Sequence, residues 1–191
     1  MKNTVIHKKA IIGANVRIGN FSTIDEDVII GDNTWIGNNN LVMSNAHIGH
    51  DCIIGNNNII GFSVGMAGEV VVGDCVNISG LTAIHQFSII GNHSMISGLS
   101  RIVKDIPPYI IAAREPLSYV GLNLVGLKRR GFEPEKINEL KEIYRILFLE
   151  KRNTTLALEL IEDSFGQSVE RDNILNFIKQ SKRGIIKGFR E

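Results

Sequence analysis

Ala46-His47-Ile48-Gly49-His50-Asp51-Cys52-Ile53-Ile54-Gly55-Asn56-Asn57-Asn58-Ile59-Ile60-Gly61 sets an aliphatic residue followed by glycine at 48, 54 and 60. The interval of six runs outward in both directions. From Ile6 to Ile102 every sixth position is aliphatic or Met, without a slip of register. Two positions earlier stands a small or slender side chain, as at Ala10, Ser22, Thr34, Cys52, Val70, Thr82 and Ser100. Six matches neither the helical period of 3.6 nor the strand period of 2, so the chain is a repeat architecture. Each hexad reads as one short strand and a corner, and three hexads close a triangular coil of eighteen residues. Residues eighteen apart then stack at the strand spacing of roughly 4.8 Å, with the sixth-residue aliphatics pointing inward. Gly, Asn and Asp at the corners, including Asn38–Asn40 and Asn56–Asn58, are expected to take positive φ.

Composition sets few further limits. A chain of 191 residues, 43% hydrophobic and with net charge +1, is of ordinary globular type, in one or two compact parts. No apolar run reaches the ~18 residues of a membrane span. The opening MKNTVIHKK lacks the apolar centre of a signal peptide. Cys52 and Cys75 fall at different phases of the hexad, so they do not stack, and a reducing cytoplasm is the expected setting. Residues 1–103 hold 5 Lys+Arg against 7 Asp+Glu, whereas residues 104–191 hold 16 against 13. The basic excess gathers at Lys128-Arg129-Arg130 and at Lys182, Arg183, Lys187 and Arg190, which suits solvated helix faces or an anionic partner.

The hexads stop at Asp105-Ile106-Pro107-Pro108-Tyr109, where a double proline ends the ladder. The expected division is a solenoid over 1–108, then a connector and a small helical domain over 109–191. An extended connector is predicted over 109–116, with helices over 118–130, 134–151, Thr154 or Thr155 to about Phe165 and about 168–182. These helices would cover the open end of the stack.

Outward positions of a solenoid are normally polar and inert, which makes the opening stretch unusual. His47 and His50 flank the inward Ile48 and point outward. Eighteen residues on from His50 lies Gly68, then Gln86; eighteen on from Ala67 lies His85. His50, Gly68, His85 and Gln86 therefore share one face across adjacent coils. A base, a backbone N–H and further polar groups on one face suit acyl transfer.

Five motifs appear in order: His47-x-x-His50-Asp51-Cys52, Ala67-Gly68, His85-Gln86-Phe87, Asp105-Ile106-Pro107-Pro108-Tyr109 and Gly126-Leu127-Lys128-Arg129-Arg130-Gly131-Phe132. Over about 34–191 the chain resembles the UDP-N-acetylglucosamine acyltransferase family of lipid A biosynthesis. The resemblance implies a mainly β fold, a left-handed parallel β-helix of hexapeptide repeats followed by a small C-terminal α-helical domain. It implies a cytoplasmic homotrimer with active sites between subunits, no bound cofactor, metal or nucleic acid, and acyl carrier protein as thioester co-substrate. The reaction implied is transfer of an acyl group, such as 3-hydroxyacyl, to a nucleotide-linked sugar. By matched position, His50 would be the general base, Asp51 its orienting partner and Gly68 the oxyanion donor. His47, Glu69, His85 and Gln86 would contact the sugar and pyrophosphate, and Asn123, Arg129 and Arg130 the nucleotide and its phosphates. Gly98 matches the position that limits acyl length, and a glycine there leaves room for a longer chain. Departures are the unbroken register, which omits the family's inserted loop and about three coils before His47, Glu69 where histidine is usual, and Val125 where an acid is usual. Alternatives in other classes are N-acylation of a nucleotide amino sugar by acyl-coenzyme A, and a non-catalytic scaffold. A zinc site of carbonic anhydrase type would need a histidine spacing that His47, His50, His85 and His93 lack.

Overall fold

A computed structural model describes residues 2–148 and 153–188. Seventeen two-residue strands, from Val5–Ile6 to Arg101–Ile102, recur every six residues and form three parallel sheets. Every pairing joins residues eighteen apart: Ile29 with His47, Trp35 with Ile53, Leu41 with Ile59. The result is the expected left-handed parallel β-helix with a few C-terminal helices. From Ile24 to Ile102 every sixth-residue aliphatic or Met is buried, while Ile6 and Ile12 of the first coil remain 36% exposed. Covering one coil's apolar face with the next is what stabilises such a stack.

The corners differ from expectation in an instructive way. The left-handed residue lies three positions after the inward aliphatic, as at Asn45, Asp51 and Asn57, and even Phe21, Leu81 and Leu99 adopt it. The glycine directly after the aliphatic has another cause. A Cβ on Gly49 would lie 2.5 Å from the Ala67 carbonyl carbon of the next coil, so close approach, not φ, requires glycine there. Each Asn triplet divides its labour accordingly. Asn39 and Asn57 take the left-handed turn. Asn40 and Asn58 point inward and are buried, Asn40 Oδ1 accepting from Asn58 N at 2.9 Å. Asn56 Oδ1 accepts from Asn38 N at 2.9 Å, and the same contact repeats from Asn56 N to Asp74 and from Asp74 N to Asn92.

Beyond the double proline the extended connector joins the sheet: Ile110–Ala113 pairs parallel with the Met95–Ile96 strand. One reading is corrected. The expected helix over 118–130 begins as strand, because Ser118–Leu122 pairs antiparallel with Ile110–Ala113. Tyr119 and Val120 favour strands, and the edge left by the last coil supplies the partner. Only Leu124–Arg129 (α1) is helical there, capped by Asn123, whose side chain accepts from Gly126 N at 3.1 Å. Three helices follow, Pro134–Phe148 (α2), Thr154–Ser164 (α3) and Val169–Gln180 (α4). The predicted end of the second helix beyond 148 lies outside the described residues, as does Arg190. Tyr144 of α2 is fully buried and donates to the Pro108 carbonyl at 2.6 Å, fixing the helices to the last coil. Buried Asp105 ties in the tail, accepting from Ser181 Oγ at 2.5 Å and from Ile89 N at 2.9 Å.

Candidate active site

One face of the solenoid carries the outward column Ile11, Ile29, His47, Gly65, Ala83, Arg101. Its lower part forms a groove of about 420 Å³ lined by His47, His50, Gly65, Ala67, Gly68, Ala83, His85 and Arg101, among others. Small residues make the floor, three imidazoles and a guanidinium make the walls, and among the described residues no carboxylate lines it. The face therefore suits an anionic ligand.

His50 and Asp51 form the ordered pair at its edge. His50 Nδ1 lies 2.7 Å from Asp51 Oδ2. An ionised carboxylate only accepts, so this contact places the ring proton on Nδ1 and leaves Nε2 as the basic nitrogen. Nε2 is directed over Gly68: a Cβ built there would come within 2.4 Å of it. On a neighbouring face the N–H groups equivalent to that of Gly68 are capped by Asn or Asp side chains from the next coil, as from Asp74 to Asn92. Here Gln86 occupies that place but turns to Glu69, Nε2 donating to Oε1 at 3.3 Å. Among the described residues no protein group accepts from the Gly68 N–H.

The structure gathers His50, Gly68 and His85, as the eighteen-residue steps from His50 and Ala67 predict, together with His47, and sets Asp51 behind His50. Glu69 and Gln86 adjoin the groove without lining it. Arg101, Gly65 and Ala83 went unnoticed in the sequence, although stepping by eighteen from His47 leads to all three. Asn123, Arg129 and Arg130 stand apart, on the C-terminal unit. Asn123 is buried with both ends of its amide engaged, capping α1 and donating to the His93 carbonyl at 2.9 Å. His93 is partly buried. It stacks on Tyr109 at 5.5 Å and meets the edge of Phe132 at 5.1 Å. Burial, assisted by the Arg130 charge, pushes its pKa down. Gly98 lies exposed on another face, where a Cβ would meet only the Gly80 carbonyl oxygen at 3.3 Å and Ser79 Cβ at 3.7 Å. Among the described residues no three His, Cys, Asp or Glu side chains group so as to hold a metal ion. No described helix is long and apolar enough to cross a membrane.

Comparison with known proteins adds independent findings. Residues 105–186 match the family described as UDP N-acetylglucosamine O-acyltransferase, domain 2, and residues 33–68 match the bacterial transferase hexapeptide (six repeats). A protein of Myxococcus xanthus named acyl-[acyl-carrier-protein]–UDP-N-acetylglucosamine O-acyltransferase is 44% identical over 112 residues, 59% of this chain and 43% of that protein. The chain spans less than half the length of such curated relatives. The crystal structure of a UDP-N-acetylglucosamine acyltransferase from Bacteroides fragilis superposes with a TM-score of 0.78 at 34% identity, covering 96% of this chain and 98% of that one. The Francisella novicida UDP-N-acetylglucosamine acyltransferase gives 0.78 at 28% identity, covering 98% and 93%.

Proposed function

Because the chain belongs to the UDP-N-acetylglucosamine acyltransferase family, we propose that it moves an acyl group from acyl carrier protein to the sugar hydroxyl of a nucleotide sugar such as UDP-N-acetylglucosamine. The observation that carries this reading is the His50–Asp51 pair set over Gly68, whose N–H no protein group accepts. His50 Nε2 takes the proton of the sugar hydroxyl as its oxygen attacks the thioester carbonyl. The tetrahedral oxyanion receives the Gly68 N–H. Collapse expels the phosphopantetheine thiolate, which recovers the proton from the His50 imidazolium, leaving an ester on the sugar and a free thiol. Asp51 holds the ring in its working tautomer and stabilises the transient cation. His47, His85, Gln86 and Glu69 border the sugar and pyrophosphate, and the exposed floor at Gly98 accommodates the acyl tail.

The working form is a cytoplasmic homotrimer. Trp35, Ile53 and Val71 form an outward apolar column on the third face, exposed by 57%, 49% and 36%. Such a column suits burial against a second copy. Arg129 and Arg130, distant from His50 in their own chain, then reach the nucleotide in a neighbour's groove, with Asn123 ordering the helix that carries them.

The test is incubation of the protein with UDP-N-acetylglucosamine and 3-hydroxyacyl thioesters of graded length, with products read by mass spectrometry and the assembly by light scattering. An acylated nucleotide sugar that disappears in His50→Ala, from a particle of three chains, supports the reading. Product only from an amino sugar with an acyl-coenzyme A replaces it with N-acylation. A folded protein inert toward every pair makes the chain a scaffold.

A further inference from the structure

Arg101 is the outward residue of the last repeat strand. It stacks on Ala83, Ala83 on Gly65, and Gly65 on His47. Two small residues between two larger polar ones make a trough, with an imidazole at one end and a guanidinium at the other. Arg101 also lines a second cavity of about 350 Å³, with Lys104, Lys187 and Leu117, so it stands at the junction of the two. It is exposed, and among the described residues it has neither an ion pair nor a hydrogen bond. Among the described residues the only acid on either lining is Glu115, in the second cavity. A guanidinium without a protein partner, closing an acid-free trough, is complementary to a phosphate group by charge and by its planar array of donors.

We infer that Arg101 is a specificity-determining residue that binds a phosphate of the acceptor, in the same chain as the base that activates it. The inference rests on the acyl-transfer reading above and extends it. Two substrates bear phosphate, the nucleotide sugar and the phosphopantetheine arm of the donor. Geometry favours the sugar. Gly68 and Arg101 are two strand spacings apart along the stack, roughly 10 Å. One sugar ring with its reacting hydroxyl at His50 Nε2 carries its anomeric phosphate into that interval, within reach of a long side chain. The donor's phosphate is separated from its thioester by the whole pantetheine arm, which is too long to fit between the same two levels. Arg129 and Arg130 then serve the nucleotide end from a neighbouring chain, and Arg101 fixes the sugar end from below.

The experiment compares the full chain with Arg101→Ala and Arg101→Lys. Calorimetry measures binding of UDP, UDP-N-acetylglucosamine and free N-acetylglucosamine, and steady-state kinetics give KM separately for acceptor and donor. In Arg101→Ala, binding of UDP and of the nucleotide sugar should weaken about tenfold, the worth of one charge-assisted contact. Binding of the free sugar and the donor KM should stay as in the parent, and Arg101→Lys should recover part of the loss. Unchanged binding of both diphosphates overturns the inference. A rise confined to the donor KM also overturns it, assigning the anion to the pantetheine arm. If the parent binds UDP but transfers no acyl group, the transferase reading fails while the calorimetry still decides Arg101. If the parent transfers and Arg101→Ala matches it in every constant, only the Arg101 assignment falls.

Discussion

His50 and Asp51 are sequence neighbours whose side chains meet, Nδ1 to Oδ2 at 2.7 Å, because the corner at Asp51 turns left-handed with φ 54°. In a continuous strand, adjacent side chains point to opposite faces. The corner brings them to the same side, and the repeat supplies such a corner every six residues. Replacing His50 with Ala should lower kcat by about 10²–10⁴-fold, the usual worth of a general base. Asp51→Ala should cost less, since the base remains but loses its fixed tautomer. The double variant should be no worse than His50→Ala alone, because the two act as a unit. Both side chains are about half exposed, at 55% and 49%, so the melting midpoints should stay together. Additive rate losses would separate the pair into independent residues.

Gly49 and Gly68 are one coil apart plus one position, yet an added methyl group should affect them oppositely. At Gly49 the methyl meets Ala67 backbone at 2.5 Å, which cannot yield without moving the next coil. At Gly68 it meets the His50 ring, Nε2 at 2.4 Å, and an exposed ring can swing away. Gly49→Ala should therefore lower the melting midpoint sharply, with a cost of about 1–3 kcal/mol, as for overpacking. Gly68→Ala should leave the midpoint near the parent value and abolish most turnover by displacing the base. Chemical shifts of the His50 ring would report the displacement directly.

The solenoid was legible because one periodicity sets strand, corner and core together. The same eighteen-residue step sets Gly68 beside His50 and His85 beside Ala67. What escaped depended on interactions without a period. Tyr119 and Val120 became strand because an edge was open beside them, a tertiary circumstance that the helical-looking run over 118–130 conceals. The glycines after each aliphatic were assigned to corners, whereas neighbouring backbone, not φ, selects them. Arg101 lay on the His47 column all along. The burial of His93 has no trace in the hexads, because Phe132, which packs against it, is almost forty residues away and belongs to the other unit.

Gly98 offers a cleaner test of specificity. Gly98 is exposed, and the nearest atom to a Cβ there is the Gly80 carbonyl oxygen at 3.3 Å, a tight contact that a shift of a few tenths of an ångström relieves. Gly98→Met should fold with a small drop in melting midpoint and narrow the space assigned to the acyl tail. The expected outcome is a shift of the preferred donor to shorter chains, with the acceptor KM unchanged. Competition between two acyl carrier protein thioesters of different length, read by mass spectrometry, measures it. An unaltered preference would leave Gly98 as a spacing residue stacked on Gly80.

His93 sets the acid limit of the junction between solenoid and helices. Burial lowers its pKa below 6.5 and the Arg130 charge lowers it further, while Asp74 and Glu170 oppose both. The folded protein therefore holds the ring neutral at pH values where the unfolded chain already binds the proton. Stability from this group is complete above about pH 6.5 and is lost as the pH falls toward the lowered folded value, because the unfolded state takes up more protons there. His93→Asn keeps a residue suited to the left-handed φ of 60° at this position but has nothing to titrate. The variant should melt lower at pH 8, having lost the stack on Tyr109 and the edge contact with Phe132. Its midpoint should then fall less than the parent's between pH 7 and pH 5. Thermal melts across that range decide the matter: a parent more stable at pH 5 than at pH 7, or parallel curves for the two proteins, would remove His93 as the titrating group.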